Sequence, residues 1–148
     1  MFMKIYNTLS HKEEVFIPWE EGKVSFYTCG PTVYHYAHIG NMRNYIGHDI
    51  LDKTLRFIGF DVTRCMNITD VGHLTSDSDS GDDKMVASAK KEHKSVLDIA
   101  SFYTDAFFKD FDALNCKRPE IVSNATDNID EYIKIITKLL EDGYAYKA

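Results

Sequence analysis

The three cysteines of this chain, Cys29, Cys65 and Cys116, are widely and irregularly spaced and include no C-x-x-C pair. That excludes a disulfide framework and a self-contained zinc knuckle, and leaves free thiols as the expectation. No apolar run approaches the roughly 20 residues needed to span a bilayer. The first ten residues lack the basic start and long apolar centre of a secretion signal. A cytoplasmic chain with no membrane attachment is therefore expected. Positive charge is also short: 17 Lys and Arg stand against 23 Asp and Glu, a formal charge of −6. Gripping phosphates requires clustered cations, so this segment is not expected to be the main contact with any nucleic acid.

What is present is an ordinary globular composition, 44% hydrophobic and 27% charged over 148 residues. That length suits about one domain with a real core. Residues 24–29 are β-branched and aromatic and end at Gly30-Pro31, which reads as a strand delivering Cys29 to its tip. From Met42 the period changes. Met42, Ile46, Ile50, Leu51, Leu55 and Ile58 recur at three- and four-residue steps, predicting an amphipathic helix that opens near Gly40 and stops at Gly59. Residues 62–68 read as a second strand ending at Thr69-Asp70. Strand, helix, strand over this distance is a βαβ unit, which implies a parallel sheet.

Beyond Thr75 the character shifts. Residues 76–83 are a polar stretch without an apolar anchor, and helices are predicted over 84–94, from 96 to about 111, and over a stripe formed by Ile129, Tyr132, Ile133, Ile136, Leu139 and Leu140. Asp127 or Asn128 is available to cap the last helix, and Gly143 stands just past its end. The expected organisation is a Rossmann-like α/β front at 1–75 joined to a helical segment at 76–148.

Chemistry concentrates in residues 28–43, T-C-G-P-T-V-Y-H-Y-A-H-I-G-N-M-R. In an open α/β sheet, ligands bind beyond the carboxyl ends of the strands. Both predicted strand tips lie at that edge, and the helix between them starts there, where N–H groups and the helix dipole favour an anion. Gly40 lacks a Cβ, so a flat ring or a phosphate can approach its backbone. His38 and Asn41, three residues apart, can present donors from one face of the opening turn. This suits stabilisation of charge on a phosphoryl group undergoing displacement.

His38-Ile39-Gly40-Asn41 resembles the H-I-G-H signature of class I aminoacyl-tRNA synthetases. The longer series T-C-G-P-T-V-Y, H-I-G-N, R-F-I-G-F and N-I-T-D-V is similar to the cysteinyl-tRNA synthetases in particular, as are Ile5-Tyr-Asn-Thr-Leu9 and residues 108–115, F-K-D-F-D-A-L-N. The resemblance covers nearly the whole chain. It implies activation of L-cysteine by ATP, with magnesium, to cysteinyl-adenylate, and transfer to tRNA(Cys) by a monomeric ligase. It implies catalytic roles for His38 and Asn41, and ATP contacts by His38, Gly40 and Asn41. Cys29 matches the first ligand of the family's zinc ion, which captures the substrate thiolate. Gly30, Thr32 and Thr69 match positions lining the amino-acid and adenylate pocket. A metal is a sound selector here, because serine is nearly isosteric with cysteine while a thiolate is much the better zinc ligand.

Some of the pattern departs or is missing. Asn41 replaces the final His of the signature, keeping a donor but unable to become cationic. His35 stands where many members carry Asp and is given no catalytic role. The remaining zinc ligands, the K-M-S-K-S signature, the second half of the catalytic domain and the anticodon-binding domain are absent from these residues, so the 148 residues alone are expected to be inactive. Two rival readings are a cysteine ligase of mycothiol synthesis and a non-catalytic nucleotide-binding fragment. The run 77–83 fails as a calcium loop, with Gly81, Asp82 and Ser88 in the wrong places. Lys90-Lys-Glu-His-Lys94 reads as a charged helical face, and Cys65 and Cys116 as inert thiols.

Overall fold

The computed structural model describes residues 3–71 and 95–147. The polar run at 76–83, the helix read at 84–94 and the proposed boundary near residue 75 lie outside the described residues.

A hairpin that the sequence reading did not anticipate comes first: β1 (Lys4–Asn7) and β2 (Lys12–Val15) pair antiparallel, with Lys4 opposite Val15. Asn7 Oδ1 accepts from the Leu9 N–H at 2.9 Å, and His11 takes φ 56° in the connection. Among the described residues, the main sheet has three parallel strands in the order β3 (Lys23–Thr28), β4 (Asp61–Ile68) and β5 (Ile121–Asn124). The α/β architecture with a parallel sheet agrees with the sequence expectation. β5 does not: a strand from the part of the chain read as helical completes the sheet beside β4.

Among the described residues, three α-helices accompany the sheet: α1 (Ile39–Phe57), α2 (Val96–Ala113) and α3 (Ile129–Glu141). α1 begins three residues before the apolar period becomes visible, because His38 caps it. It ends as expected, with Gly59 at φ 103°. Ser95 caps α2, its Oγ accepting from the Asp98 N–H at 3.1 Å. Asn128 occupies the capping position of α3 but its side chain does not cap. Its Nδ2 instead donates to Ser123 Oγ and the Asn124 carbonyl, both at 2.8 Å, tying the helix start back to β5.

One face of β4 carries the core. Val62, Arg64, Met66 and Ile68 are all buried there, while Thr63, Cys65 and Asn67 face the other side and are half-buried. Met66 and Ile68 pack with Met42 and Tyr45 of α1 and with Ile99, Phe107, Phe108 and Phe111 of α2. Tyr45 meets Phe107 nearly edge-on at 4.9 Å between ring centres, and Phe107 meets Phe111 at 5.5 Å. Burying each such ring contributes on the order of 2–3 kcal/mol.

The buried face of α1 differs from the predicted stripe. Met42 and Leu55 are buried, but so are Tyr45, Asp49 and Asp52, while Ile50 is 59% exposed. The reason is electrostatic. Asp52 accepts from Arg56 Nε at 2.6 Å and lies 3.6 Å from Arg64 Nε, and Asp49 accepts from the Lys117 N–H at 2.7 Å and pairs with Lys53 at 2.7 Å. Glu120 closes the network, accepting from Arg56 and from the Arg64 N–H, each at 2.8 Å, and from Lys117 Nζ. Partial burial pushes the Glu120 carboxyl up, but hydrogen bonds from Lys117, from the Arg64 N–H and from its own N–H, with the Lys117 charge, outweigh it and hold it at about 2. The apolar stripe of α3 is exposed, with no residue of that helix buried.

Candidate functional site

The site grows from the carboxyl edge of β3 and β4. Past Thr28 the chain leaves β3 with Cys29 exposed, and Gly30 turns in beneath β4. The Gly30 N–H donates to Asn67 Oδ1 at 2.9 Å, and Tyr27 Oη donates to the same oxygen at 2.7 Å. Asn67 Nδ2 then donates to Thr69 Oγ1 at 3.1 Å. Residues 31–33 run on beside the end of β4: Thr32 and Thr69 form a parallel bridge, with Thr69 N–H to the Pro31 carbonyl at 3.0 Å and Val33 N–H to the Thr69 carbonyl at 3.1 Å. Gly30 is required by space. A Cβ built there would lie 1.7 Å from the Asn67 carbonyl oxygen and 2.7 Å from Met66 Cγ.

The loop then climbs to the start of α1, where His38-Ile-Gly-Asn41 closes on itself. His38 Nδ1 accepts from the Gly40 N–H at 3.0 Å, and Asn41 Oδ1 accepts from the His38 N–H at 3.1 Å, a reciprocal cap. The Asn41 and Met42 N–H groups go to the His38 carbonyl at 2.9 and 3.1 Å. Most first-turn donors are therefore engaged within the cap, which differs from the open N-terminus the sequence suggested. What faces outward is the far edge of each side chain. With Nδ1 accepting, a neutral His38 ring carries its proton on Nε2, and Asn41 keeps its Nδ2 hydrogens. The flat ring that lies close to Gly40 is that of His38: a Cβ on Gly40 would meet its Cε1 at 2.8 Å.

A cleft of about 390 Å³ lies in front of this turn, lined by Gly30 to His38, by Asn41 and Tyr45 of α1, and by Tyr103 and Phe107 of α2. Of the residues expected from sequence, Gly30, Thr32, His38 and Asn41 line it directly. Cys29, Gly40 and Thr69 are each one residue or one bridge away from a lining residue and are not themselves in its wall. His35, given no role from sequence, also lines the cleft, and Tyr36 packs edge-on against Tyr103 at 5.1 Å. Burial pushes the Tyr45 hydroxyl up to about 12, with the Cys29 thiol adding to the effect.

Tyr45, Tyr103 and Phe107 line the cleft without having been expected there from the sequence. A signal for Tyr45 existed, because it stands four residues after Asn41 and seven after His38, on the same helical face. None existed for Tyr103, whose place depends on how α2 docks. Among the described residues no group of three His, Cys, Asp or Glu side chains is brought together to hold a metal ion. Cys29 is an exposed free thiol, a soft donor of the kind that zinc accepts. No helix among the described residues is long and apolar enough to cross a membrane.

Residues 15–148 match the family described as the catalytic domain of class I (C) tRNA synthetases. The chain is 60% identical over its whole length to a cysteine–tRNA ligase of Treponema denticola, of which it covers 30%. It is 51% identical over its whole length to a cysteine–tRNA ligase of Treponema pallidum, covering 28% of that protein. A cysteine–tRNA ligase of Zymomonas mobilis is 49% identical over 142 residues, which are 96% of this chain and 28% of the relative. The chain thus spans less than a third of the length of the relatives it matches.

Proposed function

The chain belongs to the class I (C) tRNA synthetase catalytic-domain family, and from that premise we propose that it forms the front of a cysteine–tRNA ligase. In the full-length protein, L-cysteine would be activated by ATP with magnesium to cysteinyl-adenylate, and the cysteinyl group then passed to tRNA(Cys). One observation carries this reading: the T-C-G-P tip, the N-I-T-D tip and the H-I-G-N turn converge on a single sheet edge beside a cleft.

The division of labour follows from the donors. His38 Nε2 and Asn41 Nδ2, left outward by their own capping bonds, are the groups to meet the ATP phosphates, where charge builds as pyrophosphate departs. Gly40 is the residue whose missing Cβ leaves room for the His38 ring at the helix start. Gly30, Thr32 and Thr69 hold the amino acid. Cys29 would supply one ligand to a zinc ion, the remainder coming from beyond these residues. Bound zinc would favour a thiolate over the hydroxyl of serine. The names of the relatives favour tRNA over an amino sugar as the acceptor.

The test is ATP–pyrophosphate exchange by the full-length protein carrying this segment. Exchange is expected with cysteine and not with serine; equal exchange with both, or none, overturns the reading. The 148 residues alone are expected to charge no tRNA. Cys29→Ser in the full-length protein is expected to weaken zinc and cysteine binding together. Groups that only hydrogen-bond to a zinc ligand are worth about 10–100-fold in affinity, so loss of a direct ligand should exceed ~100-fold. Unchanged zinc content by elemental analysis would remove Cys29 from the ligand set.

A further inference from the structure

We infer that Asn67 is a positioning residue that couples the two strand tips and sets the polarity of the Thr69 hydroxyl toward the amino-acid substrate, an inference that rests on the adenylate-forming reading above. Asn is a poor strand former, yet it stands one residue from the end of β4, the central strand. Such local mismatches mark positions where side-chain chemistry outweighs propensity. Here the chemistry is visible. Asn67 Oδ1 takes the Gly30 N–H and the Tyr27 hydroxyl, using both lone pairs, while Nδ2 donates to Thr69 Oγ1.

The consequences differ for the two tips. At β3, the backbone N–H of the residue after Cys29 is pinned, so the stretch of chain that carries the exposed thiol is held in place. At β4, Thr69 Oγ1 is used as an acceptor, which leaves its hydroxyl hydrogen for a partner outside the network. Thr69 is thereby turned into an outward donor, suited to an acceptor oxygen of the amino acid. Only a carboxamide of this length does both jobs. A carboxylate would still receive the Gly30 N–H but would draw the Thr69 hydrogen inward.

This separates Asn67→Asp from Asn67→Ala. In the full-length protein, pyrophosphate exchange is measured against cysteine and against ATP. Asn67→Asp is expected to raise KM for cysteine about tenfold, the scale of one hydrogen bond to a charged group, with KM for ATP within about twofold because His38 and Asn41 are untouched. Asn67→Ala is expected to raise KM for cysteine at least as much and to lower kcat, since the Gly30 anchor goes too. If the alanine variant fails to fold, as thermal unfolding will tell, the isosteric aspartate variant carries the test. Equal rises in both KM values, or no change in either, overturns the positioning role while the unsubstituted protein remains active. Absence of cysteine-dependent exchange in the unsubstituted protein overturns the underlying reading and this inference with it.

Discussion

Gly30→Ala is expected to lower the unfolding free energy of the chain by about 3 kcal/mol or more, at or above the upper end of the usual range for overpacking. The size follows from what the new methyl group meets. Its nearest neighbour would be the Asn67 carbonyl oxygen at 1.7 Å, a backbone atom in the central strand, and Asn67 C would lie at 2.9 Å. A long side chain can swing aside, whereas two paired strand ends must separate. That separation breaks the Gly30 N–H bond to Asn67 and strains the Thr32–Thr69 bridge. Gly47 in α1 makes the contrast: nothing lies within 4 Å of a Cβ built there. Gly47→Ala is expected to stabilise by about 0.5–1 kcal/mol through helix propensity and unfolded-state entropy. Urea unfolding of both variants gives the comparison, and the two should move the midpoint in opposite directions. A Gly30→Ala variant with an unchanged midpoint would mean that the strand tips are further apart than the structure has them.

The same contrast shows how much the sequence disclosed. β3, α1 and β4 were legible because each exceeds five residues and carries its own signal, two apolar strands ended by polar tips and a helical period ended by Gly59. β5 was not, since Ile121-Val-Ser-Asn124 is four residues long and is a strand only because β4 offers it an edge. The hairpin at 4–15 is likewise made of short, mostly polar strands. The face of α1 was misjudged for a definite reason: a periodicity count takes Asp49 and Asp52 as solvent-facing, and only tertiary structure brings Arg64 and the Lys117 N–H to them. At the site, the motif strings located the strand tips and the cap, but the walls contributed by Tyr45 and Tyr103 follow from helix docking. Gly40 stands out in the sequence for its missing Cβ, and Gly30 as the turn that ends the first strand and as a match to a pocket position of the family. In both cases the structure identifies what occupies the space, the Asn67 backbone and the His38 ring.

Asp52→Ala should have the other large effect, a loss of about 3–5 kcal/mol, because it strands a charge that cannot reach water. Arg64 is fully buried in β4, with its guanidinium 5.9 Å from the Phe111 ring centre and Nη2 donating to the Lys117 carbonyl. Asp52, also fully buried, is the carboxylate facing it at 3.6 Å, and it fixes Arg56 at 2.6 Å as well. Removing the carboxylate leaves the cation desolvated and opens a hole beside it. The exposed pair Asp112–Arg118, at 2.6 Å but about half exposed on both sides, provides the internal standard. Asp112→Ala is expected to cost less than about 1 kcal/mol, since water replaces what is lost. Replacing both buried partners, as Asp52→Leu with Arg64→Met, should recover much of the single-variant loss, because an apolar pair of similar volume has no desolvation to offset. The network also bears on the site: Asp49, Asp52 and Arg56 hold α1 to β4 and to the approach of β5, so the helix that carries His38 and Asn41 keeps its place at the sheet edge. Loss of cysteine-dependent exchange in Asp52→Ala, and its return in the double variant, would show that the buried charges serve placement of the helix. If the single variant unfolds no more easily than Asp112→Ala, the buried pair contributes nothing that water could not supply.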